Sequence, residues 1–142
     1  MPPSIPANVA TALKKAQHIL RLKMDESLRK LALTAPQYTA LAALSEEPGL
    51  SGAALARRCF VTPQTMTGII TKLAGSGLIA REPDPEHGRI LKTTLTARGA
   101  DLLRQAYRAV EIVEAKMLAE LDVAERDALA DLLGQCANAL EL

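Results

Sequence analysis

Aromatic side chains are nearly missing from this chain. Of its 142 residues only Tyr38, Phe60 and Tyr107 carry an aromatic ring, and there is no Trp, so Leu, Ile, Val and Ala must fill whatever core forms. Cysteine is scarce as well. Cys59 and Cys136 stand far apart with no Cys or His at ligand spacing, which excludes a disulfide framework and a zinc site. No apolar run approaches the roughly 20 residues of a membrane helix. The stretch from Met1 to Asn8 has prolines but no basic segment leading into an apolar block, so a secretory leader is not expected and a cytoplasmic protein without a membrane partner is. Two histidines at remote positions, with no Gly-rich phosphate loop, serine elbow or carboxylate cluster, leave nothing to build a catalytic group around. No enzyme and no cofactor are expected.

Net charge is also small, at +1, but the sum hides a gradient. Residues 1–50 hold six basic and four acidic side chains, 51–98 seven and three, and 99–142 four and nine. A basic middle with an acidic end is what a DNA-reading module joined to a part that avoids DNA would show. The hydrophobic content of 49% suits one globular domain, and the density of Ala and Leu favours helices.

Six helices and one hairpin follow from the pattern. Apolar residues at 9, 13, 16, 20, 24, 28 and 31 form one stripe along a first helix from Val9 to Leu31. Thr34 with Gln37 is a capping box that opens a second helix to about Ser45. Ser51 caps a short third helix, Gly52 to Arg58, and after the break at 59–61 Thr62 with Pro63 opens a fourth to about Gly75. Gly77 is placed to end that helix in the left-handed conformation, and Leu78 to Glu82 and Ile90 to Leu95 read as strands around a polar tip. Thr96 caps a fifth helix of about 25 residues, and Asp122 with Glu125 opens a sixth with Leu129, Leu132, Leu133, Cys136 and Leu140 on one side. The fold class expected is mainly α with a small β wing. A winged helix-turn-helix over 34–96 lies between dimerisation helices at 9–31 and 97–142, all within one domain over 1–142.

The fourth helix sharpens the functional reading. At 100° per residue Met66, Ile69, Ile70 and Leu73 face inward, and Gln64, Gly68, Thr71 and Gly75 face out, with Thr67 on one flank and Thr65 and Lys72 on the other. Solvated faces usually carry Glu and Lys; a Thr, Gly and Gln face suits close approach to base edges in a major groove. At the hairpin tip Arg89 is suited to a minor groove, with Asp84 able to fix its side chain, and Arg57, Arg58, Arg81, Lys92 and Arg98 are candidate phosphate contacts. A winged helix used only for protein contact is the alternative; it would expose larger apolar anchors.

The run TPQTMTGIITKLAGSGLIAREPDPEHGRILKTTLTARG at 62–99, with Leu73, Gly77, Leu78, Ile79 and Arg81, then Asp84, Gly88 and Arg89, then Leu95, Thr96 and Gly99, resembles the MarR family of bacterial transcriptional regulators from about Val9 to Leu140. The resemblance implies a homodimer with interlocking terminal helices that binds a pseudo-palindromic operator in double-stranded DNA, usually as a repressor. It maps DNA contacts onto Thr62, Pro63, Gln64, Thr65, Thr67, Gly68, Thr71 and Lys72, with Arg89 in the wing and His87 where a basic residue often sits. It also implies release by a small aromatic or phenolic acid held between the dimer helices and the winged module, for which His18, Arg21, Tyr38 and Arg29 are candidates. The peroxide-sensing branch has its cysteine in the first helix, and here that helix has none. Cys59 is expected to be a buried apolar residue, and Cys136 to pack between subunits.

Overall fold

The computed structural model describes residues 8–141; the reading of residues 1–7 as free of a leader lies outside them. The elements run α1 (Val9–Leu28), a 3-10 turn (Arg29–Leu31), α2 (Ala35–Glu46), α3 (Gly52–Arg58), α4 (Pro63–Gly75), β1 (Ile79–Pro83), β2 (Leu91–Leu95), α5 (Ala97–Met117) and α6 (Val123–Glu141). Caps account for the starts. The Thr34, Ser51, Thr62 and Thr96 hydroxyls each accept an N–H of the following first turn, and Asp122 and Glu125 cap reciprocally at the head of α6.

Two elements end earlier than the pattern implies. α1 gives way to the 3-10 turn at Leu28 because Ala32, at φ +56°, closes it with Ala32 N–H on Arg29 O and Leu33 N–H on Leu28 O. An alanine in the left-handed region carries no sequence signal, unlike glycine. α5 stops at Met117 rather than near Leu121, because the Arg126 guanidinium donates to the carbonyls of Leu118 and Leu121 and so satisfies the chain end between α5 and α6.

β1 and β2 pair antiparallel, with Ile79 opposite Leu95 and Pro83 opposite Leu91. A single bridge from Leu50 to Thr93 adds a third edge, which ties the segment ahead of α3 to the wing. The core gathers Leu28, Leu41, Leu44, Leu55, Met66, Leu73 and Leu103, all essentially inaccessible. It lies where α2, α3, α4 and the first half of α5 meet. Aliphatic burial of this kind supplies about 25 cal/mol per Å² without needing aromatic rings.

α6 is different. Every one of its residues is exposed, including Leu129, Leu132, Leu133 and Leu140. Alongside, α1 and α5 leave Leu13, Ile19, Leu22, Ile112 and Met117 uncovered.

Candidate nucleic-acid interface

α4 starts at a well-made N-terminus. Thr62 Oγ1 accepts the Thr65 N–H at 3.1 Å and lies 3.0 Å from Thr65 Oγ1, and Pro63 fills the first helical position. Met66, Ile70 and Leu73 are buried and Ile69 is half-buried against the core. Gln64, Thr65, Thr67, Gly68, Thr71 and Lys72 are all exposed, as are Thr62 and Pro63. A side chain added at Gly68 would meet nothing within 4 Å. The outer face is therefore open, and no acidic residue stands on the helix.

The threonines on this face have a defined orientation. Thr67 Oγ1 donates to Pro63 O at 3.0 Å and Thr71 Oγ1 donates to Thr67 O at 2.8 Å. Both hydroxyl protons are thus turned onto the helix backbone, leaving acceptor lone pairs and methyl groups for a partner. Donors on the face come from Gln64 and Lys72, and the positive end of the α4 dipole favours a phosphate there.

The wing holds itself differently from expectation. Asp84 does not fix Arg89. Its Oδ1 accepts the Glu86 N–H at 2.8 Å and its Oδ2 lies 3.9 Å from Lys92 Nζ, because the tip folds back through Asp84 N–H on Ile90 O and Ile90 N–H on His87 O. The Glu86 N–H above all, opposed by some desolvation and helped by Lys92, holds the Asp84 carboxyl below its ordinary range. Arg89 and His87 remain exposed at the tip, with no ion pair to Arg89 among the described residues.

The other candidate phosphate contacts divide. Arg58 is held by Glu46 and Glu47. Arg81 donates Nε to the wholly buried Thr93 Oγ1 at 3.2 Å and, with Pro63, Thr67 and Thr71, lines a small cavity at the corner of α3, α4 and the wing. Arg57 and Arg98 are exposed without an ion pair among the described residues.

The candidate effector residues do not converge on one cavity. Arg21, 3.8 Å from Asp25, lines a pocket of about 170 Å³ with Gln17, Leu20, Met24, Pro36 and Thr39. Tyr38 is not part of that pocket's lining; it meets Tyr107 edge-on, with ring centroids 5.8 Å apart, and burial pushes its hydroxyl up to about 12. His18 and Arg29 are exposed away from that pocket.

A larger groove of about 600 Å³ lies between α1 and α5. Ile19, Leu20, Ile112, Val113 and Met117 line it together with Lys23, Glu26, Lys30 and Lys116, and Lys23 lies 3.5 Å from Glu26. Sequence reasoning overlooked those lysines, although the seven-residue spacing of Lys23 and Lys30 puts them on one side of the first helix. Cys59 is buried, which pushes its thiol up against the pull of Arg58, and Cys136 is exposed on the single chain.

The chain as a whole is similar to known proteins. A family model described as MarR family matches residues 33–90. The HTH-type transcriptional repressor Rv2887 of Mycobacterium tuberculosis is 43% identical over 103 residues, which is 72% of this chain and 74% of that protein. Its structure in complex with salicylic acid superposes with a TM-score of 0.75 at 36% identity, covering 92% of this chain and 96% of that one. The transcriptional repressor CouR bound to a 23-mer DNA duplex superposes with a TM-score of 0.85 at 26% identity, covering 92% of both chains.

Proposed function

This chain belongs to the MarR family and is a DNA-binding transcriptional regulator; we infer that it works as a homodimeric repressor, laying α4 of each copy in the major groove of one half of a pseudo-palindromic operator. The observation that carries this reading is the outer face of α4. It is uncovered and free of acidic groups, and Gly68 at its centre lets the helix backbone come close to base edges. Gln64, Thr67 and Thr71 read bases, Thr62, Pro63, Thr65 and Lys72 position the backbone, and Arg89 with His87 follows the minor groove. Acting on the chromosome, the protein works in the cytoplasm, and its activity is binding and release with no catalytic step.

The second copy is supported by unmatched surfaces. The leucines of α6 have no cover within one chain, and the groove between α1 and α5 is mainly apolar, lined by three lysines against the single acidic Glu26. α6 carries Glu125, Asp127, Asp131 and Glu141 against the single basic Arg126. Charge and apolar area thus fit the partner's α6 into that groove.

A small aromatic acid is the effector class, supported by the salicylic acid complex of Rv2887. Arg21 is the candidate side chain for its carboxylate, since it lines the pocket that Leu20, Met24 and Pro36 form between α1 and α2. The test begins with duplexes selected from a random pool by the wild-type dimer. Gly68→Trp should bind them about a hundredfold more weakly with a melting temperature no lower than wild type and unchanged dimer size, and salicylate should release the wild-type protein but act less on Arg21→Ala. Undiminished binding by Gly68→Trp would refute the assignment of that face, and equal response to salicylate would remove Arg21 from the effector site.

A further inference from the structure

The turn that joins α3 to α4 carries a residue that the fold itself does not favour. Phe60, the chain's one phenylalanine, is 92% exposed and sits at φ +57°. Its N–H donates to Arg57 O at 3.3 Å while Val61 N–H donates to Ala56 O at 3.1 Å, the paired bonds that close a helix through a left-handed residue. The same closure occurs after α4, where Gly77 at φ +74° bonds Ala74 O and Leu78 bonds Leu73 O. One molecule therefore uses the same device twice in its helix-turn-helix, once with glycine and once with a phenylalanine whose Cβ is strained and whose ring touches almost nothing.

We propose that the Phe60 ring is a DNA contact, packing its apolar edge on deoxyribose or a thymine methyl beside the operator half-site; this rests on the reading of α4 as the base-reading helix. Placement favours duplex DNA over a protein partner. Phe60 lies two residues ahead of Thr62, the N-cap of α4, so a duplex seated on Gln64 and Gly68 passes the turn. Arg57 in the last turn of α3 is exposed and has no ion pair among the described residues, which leaves it for a phosphate on the same stretch of backbone. An uncharged ring between a free arginine and a helix N-terminus suits the apolar sugar and methyl surface that lies between phosphates.

The test measures stability and DNA affinity together, on the duplex selected by the wild-type full-length dimer. Phe60→Gly should raise the melting temperature by roughly 2–5 °C, because the strain is gone, and should bind DNA about five- to tenfold more weakly. That loss should be the same at every salt concentration, because no charge is removed, whereas Arg57→Ala should flatten the salt dependence. Phe60→Leu keeps an apolar group on the strained backbone; it should leave the melting temperature near wild type and lose less affinity than Phe60→Gly. Full affinity in Phe60→Gly overturns the proposal and leaves the ring to a protein contact. A Phe60→Gly variant no more stable than wild type overturns it as well, because the ring would then have a folding role. If the wild-type protein selects no duplex at all, the DNA reading falls and this proposal with it.

Discussion

Gly68 and Asp84 are residues whose neighbours explain them better than their types do. A glycine inside a helix costs about 1 kcal/mol relative to alanine, and at position 68 nothing in the fold requires it, since an added Cβ would have open space. That cost is offset only by what approaches from outside. Asp84 shows the reverse: its carboxylate is engaged within the wing, on the Glu86 N–H and near Lys92, so it shapes the tip that presents Arg89 and does not grip Arg89 itself. Its pKa is lowered in the folded protein, so this support is present in full above the unfolded value near 3.9 and is lost as pH falls through the folded value. Following the Glu86 amide by NMR from pH 6 downward should give a midpoint below the ordinary aspartate range, and the transition should vanish in Asp84→Asn. A midpoint at or above that range would remove Asp84 from the turn.

Among the elements, the junction of wing and α5 is the most constrained. Thr96 caps α5 by accepting the Gly99 N–H at 3.0 Å and donates its own hydroxyl to Gly77 O at 2.6 Å, while its N–H bonds Leu78 O at 3.1 Å. The closing turn of α4, the start of the wing and the head of α5 are thereby joined at one point. Gly99 is what lets them meet: a Cβ there would stand 2.0 Å from Leu78 O, a backbone atom that cannot swing away. Gly99→Ala should therefore destabilise the fold by at least about 3 kcal/mol, measured by urea unfolding. Gly68→Ala should instead stabilise it by up to about 1 kcal/mol. Equal effects from the two substitutions would contradict the packing described.

At the scale of the whole molecule, a winged module whose core is completed by Leu28 of α1 and Leu103 of α5 is flanked by long helices that expose other apolar sides. Removing residues 123–142 deletes an element in which nothing is buried within the chain. The shortened protein should keep its helical circular dichroism over 9–117, sediment as a monomer, and bind the selected duplex about two to three orders of magnitude more weakly, because the two half-sites are no longer linked. In the full-length dimer Cys136, exposed on one chain, should resist a thiol reagent, and after truncation that question disappears with the residue. A truncated protein that stayed dimeric would place the interface on α1 and α5 alone.

The order of the helices, their starts and the outward face of α4 were readable from the amino-acid string, because caps, periodicity and turn residues act over a few positions along the chain. α3 and α4 appear with the expected bounds for that reason. The end of α1 at Ala32, the strained cap at Phe60, the pairing of Asp84 with Lys92 rather than Arg89, and the separation of Tyr38 from the pocket beside Arg21 were not. Each depends on where side chains distant in sequence arrive, or on a left-handed residue that is not glycine. The same division applies to the charge and aromatic counts: a net +1 and three rings were plain from the start, but contacts between distant segments settle that two of the rings meet edge-on at Tyr38 and Tyr107 while the third, Phe60, stands in solvent.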